Sequence, residues 1–200
     1  MLKTMLLLLS CSCFNHLTAQ KTYIDSIAHK RNLLNQTNMV VLGSWASANI
    51  LYSGMAISTN TGNEKYFHQM NVYWNVVNLG IAGFSFFNTK KQLNKSINLN
   101  QNIKEQQLLE KVLLINSGLD VAYIGTGIYL MNRSSSQNLP DNQFQMKGFG
   151  QSLVVQGGFL LLFDVYEYLL HRSNGKAFNT MNSKTSFSIT GDKLSFVYRF

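Results

Sequence analysis

The sequence predicts an all-α fold, a transmembrane four-helix antiparallel bundle with a short C-terminal β-hairpin. Three observations lead to this prediction. The 200-residue chain, in which only 13% of residues are charged, contains four long stretches that are almost free of charge. Within each stretch the polar residues recur at helical spacing, on one face of an otherwise apolar cylinder. The last segment instead alternates polar and apolar residues around the pair Gly191-Asp192, which is typical of two paired strands.

The first 19 residues have the composition of a cleaved signal peptide. Lys3 supplies a positive start, an apolar run follows, and Ala19 places a small residue at the cleavage point. Lipidation is an alternative, because the residues up to Cys11 resemble a bacterial lipoprotein cleavage box. Cleavage after Ala19 leaves a mature chain without cysteine, which excludes disulfides and cysteine-bound metal centres from it. The predicted divisions are a signal peptide at 1–19, a four-helix bundle at 20–175 and a tail with the hairpin at 176–200.

Four stretches of the mature chain are long enough to cross a membrane as helices. A helix of about 22 residues measures about 33 Å, against about 30 Å for the hydrocarbon core of a bilayer. No charged residue occurs from Asn32 to Asn63, so apolar and small side chains surround most of the first helix. The stretches run over 36–58, 66–88, 108–131 and 146–170, with polar loops predicted at 59–65, 90–107 and 132–145.

The polar residues of these stretches follow helical rather than strand spacing. His68, Asn71 and Asn75 are separated by three and four residues, which places them on one helix face, whereas a period of two would divide them. A β-barrel, for which residues 196–200 resemble a last strand, would need alternating segments of about ten residues. A soluble bundle with its apolar sides inward is a second alternative, since the mean hydropathy is only −0.03. Polar stripes on apolar helices favour a polar interior with lipid outside.

Small residues within the stretches predict that the helices approach one another closely. Without a bulky side chain, glycine and alanine let two helix backbones come into contact inside a membrane. Because these positions form no strict GxxxG motif, the pattern indicates contact without specifying the partner helix. The positions are Gly43, Ala46, Ala48, Gly80, Gly83, Gly125, Gly127, Gly157 and Gly158.

The signal peptide and the charge distribution predict opposite membrane orientations. With residue 20 outside, four spans place the N-terminal segment, the 90–107 loop and the tail on the external side. These segments, with the first turn of the third span, carry thirteen Lys and Arg residues, and the opposite side carries three. The positive-inside rule would make the side with thirteen cytoplasmic. Either the N-terminus is no cleaved signal, or the membrane is not the inner one, or the helices do not span, so inner and outer membrane stay open.

Polar residues near the helix centres predict one polar layer inside the bundle. Antiparallel neighbours bring their midpoints together, and Asp120 at such a midpoint has no Lys or Arg at the same depth. An ionisable residue buried in a membrane is by default a candidate functional group. The alternative role is structural, because amide side chains commonly hydrogen-bond helices together. The predicted layer, or ion pathway, consists of Asn49, Asn75, Asn78, Asp120 and Gln156.

A second polar group, near the end of the fourth stretch, could bind a divalent metal. Asp164, Glu167 and His171 share one helix face, and carboxylates with an imidazole are common metal ligands. One helix cannot complete a coordination shell, so such a site would need ligands from elsewhere. The sequence has no phosphate loop, dinucleotide fingerprint, HExxH or nucleophile motif. We therefore predict no cofactor, and the sequence leans against an enzyme.

Five short segments carry a resemblance to a known family: 66–75, 78–83, 110–113, 118–124 and 156–164. They resemble an uncharacterised domain-of-unknown-function family of exported four-helix proteins from Bacteroidota. The resemblance covers about residues 39–168. It implies an exported, four-helix protein and carries no activity and no site residue.

These observations predict an integral membrane protein of the cell envelope with a structural or interaction role. The alternative is a small ion- or proton-coupled transporter, or a subunit of one, that uses the Asp and Asn layer inside the membrane. Expected partners are membrane lipid and a further chain, either a second copy or another envelope protein. Nucleic acid is not expected, because the 17 Lys and Arg residues are spread over loops and tail.

Overall fold

The structure, a computed structural model, is built of four long helices. It describes the backbone of residues 2–93, 95, 97–135, 142–190 and 193–198, and the side chains of residues 22–93, 95, 97–135, 142–176 and 178. The helices are α1 (Leu2–Ala56), α2 (Gly62–Gln92), α3 (Leu99–Ser134) and α4 (Gln143–Lys184). Two short strands follow, β1 (Thr185–Thr190) and β2 (Lys193–Tyr198), which pair antiparallel.

The predicted all-α four-helix bundle is confirmed. The prediction of a C-terminal β-hairpin as part of that fold is wrong for the residues whose side chains are described. Within residues 22–178, as far as their side chains are described, the regular structure is helical and no strand is present. Strands β1 and β2 lie beyond this part and form a two-stranded sheet of their own, which is too small to be independently stable. Helix α4 has no proline to stop it and continues to Lys184, past the predicted end of the bundle at residue 175.

Helix α3 begins inside the segment predicted as the 90–107 loop. The side chain of Asn98 accepts a hydrogen bond from the backbone N–H of Gln101 at 2.8 Å, which caps α3 and lets it start at Leu99. At the opposite end of the bundle, α2 starts at Gly62, whose φ of 57° is readily adopted by glycine. The helices are therefore longer than their uncharged stretches, and most of the extra turns lie at one end.

Helix α4 packs closely against two neighbours through its glycines. A Cβ on Gly150 would lie 2.6 Å from the carbonyl oxygen of Gly127 in α3. A Cβ on Gly148 would lie 2.3 Å from the carbonyl oxygen of Asn63 in α2. Since the α1–α2 and α3–α4 pairs also pack together, α4 joins the two halves of the bundle.

Only some of the small residues predicted at helix contacts face another helix. Gly127 and Gly157 lie at the α3–α4 contact, a Cβ on Gly43 would lie 3.7 Å from Ala82, and Ala46 is completely buried. The prediction is wrong for four others, because composition does not show which way a helix is rotated. A Cβ would meet open space at Gly80, Gly83, Gly125 and Gly158.

Burial in the bundle is inverted relative to a water-soluble protein. Among the described side chains, nineteen buried residues are polar or charged and ten are hydrophobic, whereas 28 large hydrophobic residues are exposed. Phe84 and Leu162 expose 77% and 75% of their surface. By length and composition, α3 and the part of α4 up to Lys176 are able to cross a membrane.

One end of the bundle has a charged surface and buries apolar side chains beside polar ones. There the apolar side chains of Ile24, Ile27, Ala28 and Phe178 are buried. We call this part, residues 22–35, 86–92, 99–107 and 171–178, the basic end. The exposed basic residues on it are Lys30, Lys90, Lys91, Lys104, Arg172 and Lys176.

Candidate functional site

Seven polar side chains form a hydrogen-bonded network between α1, α2 and α4, which we call the amide network. Asn71 of α2 is its centre, because its Oδ1 accepts from Gln156 Nε2 at 2.8 Å and from Ser152 Oγ at 2.9 Å. Its Nδ2 donates to Ser53 Oγ at 3.3 Å and to Asn49 Oδ1 at 3.5 Å. The members are Trp45, Asn49, Ser53, His68, Asn71, Ser152 and Gln156.

The outer members of the amide network are paired as well. Trp45 Nε1 donates to Gln156 Oε1 at 3.0 Å, and Gln156 Nε2 also reaches Asn49 Oδ1 at 3.3 Å. His68 Nδ1 lies 3.2 Å from Ser53 Oγ. Buried networks whose members are satisfied make a bundle rigid and specify how its helices fit. The amide network thus has the geometry of a structural element that holds three helices together.

Replacing Asn71 by alanine is expected to destabilise the bundle by about 2 kcal/mol, because the buried partners of its amide lose their hydrogen bonds. The measurement is the free energy of unfolding of purified protein in detergent micelles. The matched control is Asn88→Ala, which changes an exposed asparagine of the same helix and should alter stability little. Equal losses in the two variants would contradict a structural role for the network.

Three buried carboxyl groups, which we call the acidic cluster, lie between the amide network and the basic end. The side chains of Asp120 in α3 and Asp164 in α4 lie within hydrogen-bonding range of each other. Asn116 of α3 also interacts with Asp164. Glu167, one turn further along α4, faces Asn38 of α1. The exposed fractions of Asp120, Asp164 and Glu167 are 3%, 7% and 1%, so the cluster is shielded from the outside.

The acidic cluster and the amide network are separate layers. Gln156 and Asp164 are eight residues apart on α4, which corresponds to about 12 Å along the helix axis. Between them the ring of Trp45 stacks on Phe159 with 3.9 Å between centroids, and Phe159 stacks on Phe163 at 5.9 Å. These rings, here called the aromatic stack, fill the space between the two layers on the α1 side.

The residues predicted to form one polar layer are therefore brought together only in part. Asn49 and Gln156 belong to the amide network, whereas Asp120 belongs to the acidic cluster. Asp164, which interacts with Asp120, was predicted as a metal ligand and not as a member of the polar layer. Neighbouring helices differ in rotation and in relative height, so residues at similar distances from their helix centres need not meet.

The asparagines of α2 extend from one layer towards the other. Asn75 is completely buried and donates from Nδ2 to the backbone oxygen of Asn71 at 2.8 Å. Asn78, one turn further, is also buried. Asn71 was missing from the predicted layer although it follows the same spacing of three and four residues. That spacing was the signal that could have found it.

The predicted metal site receives no support from the geometry. Asp164, Glu167 and His171 are all buried on one face of α4. Across the described residues, however, no group of three or more His, Cys, Asp or Glu side chains is placed to hold a metal ion. Asp164 interacts with Asp120 on another helix, and His171 lies two turns beyond Asp164 towards the basic end.

At the basic end a buried arginine connects α1 to α3. Arg31 Nη1 donates to the backbone oxygen of Asn102 at 3.0 Å and to its side-chain oxygen. Arg31 also forms an ion pair with Glu105, at 2.5 Å. Desolvation by burial lowers the pKa of Arg31, and the nearby Glu105 carboxylate opposes this effect. Sequence reasoning missed this site, because Arg31 and Glu105 are far apart in the chain.

Comparison with known proteins places this arrangement in a family. A family model described as "Family of unknown function (DUF6992)" matches residues 41–165. The chain belongs to this family. The predicted resemblance to an uncharacterised domain family is thereby confirmed. The segment matched by DUF6992 contains the whole amide network together with Asp120 and Asp164, while Arg31, Glu167 and His171 lie outside it. No curated protein and no solved structure matches the chain.

Proposed function

We propose that this DUF6992 protein is an integral membrane protein of the cell envelope, with four helices that cross the bilayer around a polar interior and a structural or interaction role. The inverted burial carries this proposal. In water, each exposed large hydrophobic side chain forgoes about 1.5–3 kcal/mol of burial free energy, but in lipid the same surface is already in an apolar solvent. Interior amides meanwhile find partners across the helices, as in the amide network.

The basic end supports the same placement. Its exposed lysines and Arg172 form the charged surface expected of a protein in water. The outer surface changes from charged to apolar along the same helices, as expected where a bundle passes from the aqueous phase into lipid. A water-soluble bundle would carry charged side chains along its whole length.

A lysine on the proposed lipid-facing surface is expected to prevent stable insertion. Ile115 of α3 is 64% exposed, and its replacement by lysine at this depth should cost about 2.5 kcal/mol in a bilayer. The matched control is Leu33→Lys at the basic end, where the side chain is 44% exposed and the charge should be tolerated. The measurement is the fraction of each variant that stays in membranes after an alkaline carbonate wash. Equal tolerance of both lysines would favour the soluble alternative.

Fractionation of the unmodified protein tests its location. We expect retention in the membrane pellet after the carbonate wash, and separation of inner from outer membrane assigns the bilayer. Export rests on the composition of residues 1–19 and, like an origin in Bacteroidota, on the resemblance. The intact mass of the purified protein tests export, since cleavage after Ala19 predicts a mature chain that begins at Gln20. Release into the soluble fraction would overturn the proposed membrane location.

The acidic cluster favours a second candidate function, ion- or proton-coupled transport. Hydrogen-bonded amides are sufficient to hold helices together, so helix association does not require three carboxyl groups in the interior. Ionisable residues inside membrane bundles are costly and commonly mark ion or proton pathways. A transport role requires the interior to exchange an ion or a proton with water, whereas a structural role requires no such exchange.

A further inference from the structure

We propose that the half of the interior between Asp120 and the basic end is a path for protons, which connects the Asp120–Asp164 carboxyl pair to the water at the basic end. This inference deepens the transport candidate and rests on the proposed membrane location. It assigns the proton as the ligand and the basic end as the side of entry. The amide network is assigned no part in the path.

The two halves of the interior differ in how completely their polar atoms are paired. Among the described side chains, nine buried nitrogen and oxygen atoms have no hydrogen-bond partner, and none belongs to the amide network. Trp74 Nε1 is one of the nine and lies against the ring of Tyr123. Asn75 Oδ1 and Asn78 Nδ2 lie between the amide network and the acidic cluster. The other six lie from Asp120 towards the basic end: Asn38 Nδ2, Gln106 Oε1, Asp120 Oδ2, Glu167 Oε1 and both ring nitrogens of His171.

Such atoms are expensive in a purely structural interior. A buried polar atom without a partner destabilises the folded protein, and several of them in one region need an explanation beyond packing. Glu167 and His171 are 1% and 0% exposed, so the outside surface cannot satisfy them. Internal water satisfies groups of this kind and also carries protons between them. A proton path therefore explains why these buried side chains are polar.

The ionisable groups form a continuous series along α4. Asp164, Glu167 and His171 follow steps of three and four residues, which places successive side chains about 5–6 Å apart on one face. The series begins at Asp120 and ends beside Arg31, which interacts electrostatically with His171. The ionisable groups that face this half are Arg31 from α1, Glu105, Glu110 and Asp120 from α3, and Asp164, Glu167 and His171 from α4.

The chemistry of the path is a series of balanced proton exchanges. Two carboxyl groups within hydrogen-bonding range cannot both be charged at low cost, so the Asp120–Asp164 pair holds a proton between its oxygens. To release it, the O–H bond at the pair breaks as a new O–H bond forms at Glu167. Glu167 passes its own proton, directly or through water, to one ring nitrogen of His171 as the other ring nitrogen releases its proton to water at the basic end, so the ring stays neutral. The same transfers in reverse return a proton to the pair, which is charged on both groups only transiently. No electron transfer or co-reactant is required.

Infrared spectroscopy of the full chain in lipid vesicles tests the path. A protonated carboxyl pair gives a C=O stretching band, and transfer to deuterated water shifts this band at the rate at which the pair exchanges its proton. We expect the band in the unmodified protein, and we expect Asp120→Asn and Asp164→Asn each to remove it. Glu167→Gln should keep the band but slow its shift about a hundredfold, because a positioned proton-transfer group is lost.

The controls separate this inference from the proposed membrane location. Glu64→Gln changes an exposed acid at the opposite end of α2 and should leave the band and its exchange rate unchanged. Helix content by circular dichroism identifies variants that fail to fold. If one of the two Asp→Asn variants does not fold, the other one provides the test. Absence of the band, or an unchanged exchange rate in Glu167→Gln, would overturn the path even when the carbonate wash shows a membrane protein. A soluble protein would overturn the proposed location instead.

Discussion

Replacing Gly150 by leucine is expected to prevent helices α3 and α4 from packing, with a loss of at least about 3 kcal/mol in the free energy of unfolding. A Cβ at this position would lie 2.6 Å from the backbone oxygen of Gly127 and 3.1 Å from the backbone nitrogen of Met131. Backbone atoms cannot rotate away as a flexible side chain does, so the two helices would have to separate. Contacts along the α3–α4 pair would be lost with them.

The matched control for Gly150→Leu is Gly158→Leu, two turns further along the same helix. A Cβ on Gly158 meets nothing within 4 Å, so leucine there should be neutral or slightly stabilising through its higher helix propensity. The measurement is thermal unfolding of both variants in detergent micelles, followed by circular dichroism. Similar unfolding temperatures in the two variants would show that α3 and α4 do not meet at Gly127 and Gly150.

Replacing Arg31 by methionine should destabilise the protein by about 3 kcal/mol, because it removes the charged donor of the buried Asn102, whereas Glu105, whose side chain is 34% exposed, can be hydrated. The guanidinium bridges α1 and α3 through Asn102 and Glu105, and Asn102 is itself 0% exposed. Without Arg31, the side-chain and backbone oxygens of Asn102 lose the donor that satisfies them. Methionine keeps most of the volume, so the loss reports on charge and hydrogen bonding rather than on a cavity.

Two further variants make the Arg31 experiment specific. Lys30→Met removes a charge from the adjacent exposed position and should change stability by less than about 0.5 kcal/mol. Arg31→Lys keeps the charge but loses the planar donor fork, so its stability should lie between Arg31→Met and the unmodified protein. The measurement is chemical denaturation in micelles. If Lys30→Met were as harmful as Arg31→Met, general loss of basic charge would be the cause instead of the buried pair.

The helices of the bundle could be predicted because their polar residues recur with the period of the α-helix. Their ends could not, because the first turns of α3 are as polar as a loop. The segment is helical because Asn102 and Gln106 bind other helices, through the backbone oxygens of Ile24 and His171. Such tertiary contacts leave no periodic signal of their own.

The candidate site was predictable as a set of residues but not as a set of pairs. Asn49 and Gln156 were expected to meet and do so, since they share the amide network. Asp120 was expected beside them and pairs instead with Asp164, because side-chain partners across two helices depend on rotation and relative height. Periodicity gives the face of one helix at a time. Only the packed bundle shows that Asp120 lies on the far side of the aromatic stack.

The unequal apolarity of the four helices has a consequence for biosynthesis. Of the described helices, α3 and α4 alone reach the length and hydropathy at which a segment can enter a bilayer by itself. They form an adjacent pair that joins backbone to backbone at Gly127 and Gly150. The first two helices carry Asn49 and Asn71, whose amides hydrogen-bond one another and Gln156 of α4. In the proposed membrane location, the order of synthesis therefore runs against the order of insertion: the half of the chain made first depends on the half made last, and the newly made α1–α2 hairpin must be sheltered until α4 emerges.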